Sequence, residues 1–417
     1  MIGLVFAMIF RISEVEVHPQ DAERYLPFAA EVASASLTNE PGVVSIFPMR
    51  DKKNPNHFRI IEIYADEKAY RAHLETAHFK KYKTGTLHMV KSLALIDHDP
   101  LVPELAERVF KKGESDRFIA SIPPGRQAEQ AHAVREAMRG NRAELDAIRR
   151  SRDIEKPLIA GVTRRMVRDD LCLYLPESGS VRETLVYLHG GCWTFGSINS
   201  CSEFCMAVAK EGVAVLAHAY PLAPENDART IVARTGETVA WVMDHASEWG
   251  GSPDAVAVGG DSAGGNLALA VALASPLPRR PSALLLYYPV VHAWADDGGS
   301  WARYGKGFGL DAELMDAGNA AYSRGDFRNP LISPDCASDA ALKTLPPCRF
   351  LAAERDILFD QGQAFHRRLL ALGVPTMHET VPGATHLFVT VPGQPTAFAK
   401  AVRFAVEGVR AKERNHE

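Results

Sequence analysis

The stretch Ala255-Val256-Ala257-Val258-Gly259-Gly260-Asp261-Ser262-Ala263-Gly264-Gly265-Asn266 decides how the chain is read. An apolar run of strand length leads into a serine with Gly260 and Gly264 two residues to either side, and a helical apolar run follows to Ala274. Small residues at those two places let the backbone turn sharply without a clash. The Ser262 hydroxyl then stands out at the corner, where the helix N-terminus favours negative charge. Strand, turn and helix together are the context that a G-x-S-x-G nucleophile elbow requires.

Working outward, apolar strands are expected at 171–175, 184–189, 213–219, 255–259, 283–288, 349–353 and 376–381. Helical spacing fills most gaps between them, including 231–249, 262–274 and 361–372. Strands alternating with helices make an α/β fold with a mostly parallel sheet covered on both faces. Ligands in such sheets bind beyond the carboxyl ends of the strands, which is where the chemical motifs fall.

A serine hydroxyl is too weak an acid to attack an ester unaided, so it needs a base and a group that orients the base. His386, in the loop after the last strand, and Asp356, just past the strand 349–353, stand in the order Ser, Asp, His that this architecture uses. Asp360 is the rival carboxylate, and its place ahead of a helical run reads as an N-cap. Backbone N–H groups for an oxyanion are expected from Gly190 and Gly191, in His189-Gly190-Gly191-Cys192-Trp193, together with Ala263. His189 is read as shaping its loop and not as moving protons.

These residues, with Tyr220-Pro221-Leu222-Ala223-Pro224-Glu225, Asp356-Ile357-Leu358-Phe359-Asp360 and His386-Leu387-Phe388, resemble the hormone-sensitive lipase-like branch of the α/β-hydrolases over about residues 100–411. The resemblance implies an α/β-hydrolase fold with a helical lid. It also implies a carboxylesterase with the triad Ser262, Asp356 and His386 and the oxyanion hole Gly190, Gly191 and Ala263. Two positions depart from the family pattern: Cys192 stands where a third Gly is usual, and Leu222 where an Arg is usual. A backbone donor survives the first change, while loop shape and thiol sensitivity do not follow from it.

Residues 1–98 read differently, as strand, helix, two strands, helix, strand, a ferredoxin-like α+β order. Helices on one face of such a sheet leave the other face to be covered, most often by a second copy. Glu40-Pro41-Gly42, Asn54 to Phe58, Glu62-Ile63-Tyr64, Ala72-His73-Leu74 and His78-Phe79 resemble the antibiotic biosynthesis monooxygenase-like family. That resemblance implies a dimer, and a family with cofactor-free oxygenases among its members. Period-two alternation puts Glu62 and Tyr64 on one face of their strand, where His73 or His78 could meet them in a second pocket. All the tryptophans lie outside this domain, which does not support a haem-degrading pattern. Residues 99–160 are read as helical linker and lid over a narrow stripe of Ala133, Ala137, Leu145 and Ile148. Residues 161–417 are the catalytic domain.

The composition narrows the partners. With 417 residues, Lys+Arg 47, Asp+Glu 51 and a formal charge of −4, the chain has no basic field for nucleic acid. No apolar run is long enough to cross a bilayer, and Met1 to Phe10 reads as the lead-in to a strand, with Met8 as an alternative start. Six cysteines without a C-x-x-C pair point to a reducing cytoplasm, and Cys201 with Cys205 to buried packing instead of a metal. The expected protein is a serine carboxylesterase of small, short-acyl esters, needing no metal or organic cofactor and paired as a homodimer through its first domain. A bifunctional monooxygenase plus esterase, or an arylformamidase-type hydrolase, is the alternative. Trp294, Trp301, Tyr304, Phe308, Tyr322 and Phe327 are expected to cover the acyl pocket or to be ordinary packing.

Overall fold

The computed structural model describes residues 8–40, 42–101, 114–274, 277–296 and 298–410. Residues 1–7 of the expected lead-in and 102–113 of the expected linker lie outside the described residues. The chain divides into two compact units, residues 1–114 and 115–417.

The first unit runs β1 (Ile9–Val17), α1 (Ala22–Asn39), β2 (Val43–Arg50), β3 (His57–Tyr64), α2 (Glu67–Glu75), α3 (Ala77–Thr86) and β4 (Val90–His98). Its antiparallel sheet has the order β2-β3-β1-β4. Val15, Val17, Phe58, Ile60 and Tyr64 pack on Tyr25, Ala29 and Ala33 of α1. The opposite face carries an apolar row in register across all four strands, Phe47 beside Ile61, Ile61 beside Ile12, and Ile12 beside Ile96. Phe47 is 58% and Ile96 41% exposed. The second expected helix, α2, is followed by a further one that the sequence reading did not include: the Thr76 hydroxyl accepts from the Phe79 N–H and caps the start of α3.

The second unit is built on eight strands: β5 (Val162–Arg168), β6 (Leu171–Pro176), β7 (Thr184–Leu188), β8 (Ala214–His218), β9 (Val256–Asp261), β10 (Leu284–Tyr287), β11 (Cys348–Arg355) and β12 (Thr376–Thr385). Their order is β12-β11-β10-β9-β7-β8-β6-β5. From β12 to β8 neighbours are parallel, while β6 and β5 close one edge antiparallel. Strand β5, not foreseen from its sequence, carries Arg164, Arg165 and Arg168 at the sheet edge, where charge discourages pairing with another chain. The central strands are buried on both faces, so β7 is fully buried along its length and reads as a continuous apolar run. Helices Arg126–Met138 and Ala143–Arg152 belong to this unit and bury Ala133, Ala137 and Leu145 in its core, with Ile148 packed against it.

Candidate active site

Strand β9 ends at Asp261, Ser262 follows it with φ +55°, and helix Ala263–Ala274 starts at the next residue. A non-glycine residue in left-handed backbone is strained, and the surroundings must hold it there. They do: the Ser262 N–H donates to Tyr287 O at 2.9 Å, and Ser262 O accepts from Asn266 and Val290. Gly264 is required by close approach, because a Cβ there would lie 1.9 Å from Leu188 O.

Asp356 follows β11 and His386 follows β12, and both are 1% exposed. His386 Nδ1 lies 2.7 Å from Asp356 Oδ2, while Asp356 Oδ1 accepts from the Leu358 N–H at 3.1 Å. With Nδ1–H donated to a carboxylate, the imidazole's other nitrogen is left as the acceptor. The ring packs 4.4 Å from that of Tyr288, and Gln394 Nε2 donates to His386 O. Ser262 and His386 line one cavity of about 160 Å³ with Gly191 and Cys192. Asp360 takes no part: it sits in the first turn of helix Phe359–Ala371, not at its N-cap, and accepts from the Ser300 N–H at 2.6 Å.

The loop after β7 corrects one expectation. Gly190 N–H donates to Asp261 Oδ1 at 2.9 Å and so is committed within the protein. Gly191 lies in the pocket wall at φ +121°, Cys192 beside it at φ +51°, and Ala263 opens its helix, where N–H groups lack a carbonyl one turn back. Tyr187 also donates to Asp261 Oδ1, and complete burial pushes the Asp261 carboxyl up to about 6. His189 matches its structural reading: its ring stacks on Tyr220 at 4.3 Å, Nδ1–H donates to Gly190 O, and burial lowers its pKa to about 4. Burial likewise pushes the Cys192 thiol up to about 12, so the residue that replaces the family's glycine is a protonated, weakly nucleophilic thiol. Arg149 staples this region, donating to Thr194 O, Ala223 O and Glu225.

The pocket wall differs from the expected aromatic cover. None of Trp294, Trp301, Tyr304, Phe308, Tyr322 and Phe327 lines it; Tyr322 instead stacks on Trp193 at 4.3 Å and Trp294 on His292 at 4.2 Å. Phe118, Ile122, Leu310 and Leu314 supply apolar walls. Two arginines that sequence reading missed, Arg126 and Arg152, also line it, and no Asp or Glu among the described residues does.

In the first unit, Glu62 and Tyr64 share a face as expected, and the Tyr64 hydroxyl donates to Glu62 at 2.7 Å. His73 and His78 are not held by that pair. Both meet Glu40, at 3.0 Å from His73 Nδ1 and 2.5 Å from His78 Nε2. Glu40, at the end of α1, was quoted only as part of a motif; nothing in its spacing tied it to the histidines. These three are the group that could hold a metal ion among the described residues. Cys201 and Cys205, with sulfurs 3.9 Å apart, are buried, and no third ligand completes a site with them there.

Fold and site together define an α/β-hydrolase. Residues 185–390 match the family model described as alpha/beta hydrolase fold, and residues 8–85 that of antibiotic biosynthesis monooxygenase. An arylesterase of Saccharolobus solfataricus is 36% identical over 53% of this chain and 72% of its own. A carboxylic ester hydrolase of Mycobacterium tuberculosis is 33% identical over 63% of this chain and 70% of its own. Among solved structures, a carboxyl esterase of Tuber melanosporum superposes with a TM-score of 0.58 at 25% identity, covering 64% of this chain and 97% of its own. The chain belongs to the hormone-sensitive lipase-like carboxylesterases of the α/β-hydrolase fold, with an antibiotic biosynthesis monooxygenase-type domain at its N-terminal side. No helix among the described residues is long and apolar enough to cross a membrane.

Proposed function

We propose that the protein hydrolyses small carboxylic esters through an acyl-enzyme, with Ser262 as nucleophile, His386 as its base and Asp356 orienting the imidazole. The observation that carries this is the buried 2.7 Å pair of His386 and Asp356 opening on the same cavity as a serine in left-handed backbone. His386 takes the Ser262 proton as Oγ attacks the carbonyl carbon, then returns it to the leaving alkoxide; water repeats the sequence to release the acid. The N–H groups of Gly191, Cys192 and Ala263 receive the oxyanion, each typically worth about 3 kcal/mol. Gly190 acts on them indirectly, through its bond to Asp261.

The test is a nitrophenyl acetate assay on the full chain. Ser262→Ala lowers kcat by on the order of 10⁴-fold or more with the fold retained by circular dichroism, and a variant that keeps the parent rate removes the reading.

The cavity of about 160 Å³ favours short acyl groups, being close to the roughly 150 Å³ that holds one benzene ring. Arg126 and Arg152 favour esters that carry an anionic group, since neither faces a carboxylate among the described residues. The apolar row from Phe47 to Ile96 fits a second copy of the same face, which makes the first domain a pairing module. Six free cysteines fit a reducing compartment such as the cytoplasm.

A further inference from the structure

The histidines of the first domain are brought together by a break in a helix. Helix α2 ends at Glu75, and the Thr76 hydroxyl both donates to His73 O at 2.8 Å and caps α3. The chain therefore doubles back within two residues, and His78, in the first turn of α3, returns beside His73 in the last turn of α2. Their ring centroids are 6.4 Å apart. Glu40, one residue past α1, reaches between them: its two oxygens lie 3.0 and 3.2 Å from His73 Nδ1, and Oε1 lies 2.5 Å from His78 Nε2.

The three donor atoms all fall within 4.8 Å of one another. Ligand bonds of about 2.0–2.2 Å at tetrahedral or octahedral angles put neighbouring ligand atoms roughly 3 Å apart, and the Glu40 carboxylate lies near that spacing from each imidazole. Exposure is graded across the cluster: the side chains of His73, Glu40 and His78 are 3%, 10% and 19% exposed. The inner side is walled by the rings of Phe79, 4.7 Å from His73, and Tyr64, 5.4 Å from it. The side of His78 is the one open to solvent, so water can complete the coordination there.

We propose that Glu40, His73 and His78 form a binding site for one divalent transition-metal ion. Two imidazoles and one carboxylate suit zinc, iron, cobalt or nickel and are a poor match for calcium or magnesium, which take oxygen ligands. Three protein ligands with an open position are the pattern of reactive sites; closed structural sites use four. The ion exchanges the hydrogen bonds of the cluster for three metal–ligand bonds and leaves one net positive charge beside Tyr64. None of the three residues belongs to the hydrolase unit.

The test uses the full-length protein, stripped with a chelator and titrated with zinc chloride by calorimetry. One zinc per chain is expected, with affinity lowered at least 100-fold in Glu40→Gln and in His78→Ala and unchanged in His98→Ala, a histidine outside the cluster. Equal affinity in all four proteins, or no binding by the parent chain at 100 µM zinc, overturns the proposal. Esterase activity and circular dichroism check that each variant folds. Cobalt(II) added to the unmutated protein gives a readout free of any folding defect: visible ligand-field bands of nitrogen and oxygen coordination support the site, and a spectrum like that of aqueous cobalt refutes it.

Discussion

Replacing Arg152 with methionine tests the substrate preference. Arg126 opens helix Arg126–Met138 and Arg152 closes helix Ala143–Arg152, so two guanidinium groups on separate elements reach the cavity that holds Ser262. The Arg152 guanidinium lies 5.6 Å from the centre of the Phe195 ring. Both arginines keep contact with solvent. A carboxylate about 4 Å from one of them gains about 4 kcal/mol at an effective dielectric of 20 before desolvation is counted. Exposed ion pairs retain at most about 1 kcal/mol, and hydrogen bonds to charged groups about 1.5–3. A net of about 1.5 kcal/mol per arginine is the working figure, which is roughly tenfold in rate. The assay compares kcat/KM for 4-acetoxybenzoate and 4-acetoxybenzamide, which share an acyl group and differ in charge. The ratio of the two falls about tenfold in Arg152→Met and again in the double variant with Arg126→Met, and it shrinks in the parent enzyme as salt rises. A ratio that stays within twofold in both variants refutes the reasoning.

Asp261 gives a prediction about pH. Its carboxyl ionises near 3.8 when unfolded and near 6 when folded, because burial opposes the charge. Between those values the folded state holds a proton the unfolded state has lost, so stability falls as pH rises from 4 to 6 and stays lower above. Asp261→Asn keeps the acceptor for Tyr187 and Gly190 without the charge. Thermal melts should therefore show the variant gaining on the parent by up to about 3 kcal/mol between pH 4 and pH 7; a constant difference contradicts this. Phe47→Asp places charge in the apolar row of the first domain, and ultracentrifugation should show the parent chain as a dimer and the variant as a monomer. A monomeric parent would refute the pairing module.

How much of this was legible in advance depends on the range of the interactions. The elbow at Ser262 is local, written in the five consecutive residues Gly260 to Gly264, and so is the alternation of strands that makes the sheet. His386 and Asp356 were found because their places at strand ends follow from topology. The fate of the Gly190 N–H was not legible, since it turns on which way the Asp261 side chain points. Glu40 lies more than thirty residues from its histidines in sequence and meets them only when the fold brings the end of α1 to α2 and α3. For the aromatics of 291–329 the sequence left pocket cover and ordinary packing both open, because ring content reports burial and not the side on which it occurs; Tyr322 packs on Trp193 and does not line the cavity. Arg126 and Arg152 lie in the stretch read as helical linker and lid, and only the fold shows that these helix ends line the cavity that holds Ser262.

In the proposed mechanism, the bond from Gly190 to Asp261 makes the neighbour of Ser262 the anchor of the opposite loop. Attacking atom and anion cradle are thereby mounted on a common chassis and shift together when the sheet breathes. Directed evolution toward bulkier acids should thus spare this joint and recruit Leu310 and Leu314, whose trimming enlarges the chamber while the alignment of the reacting atoms is left alone.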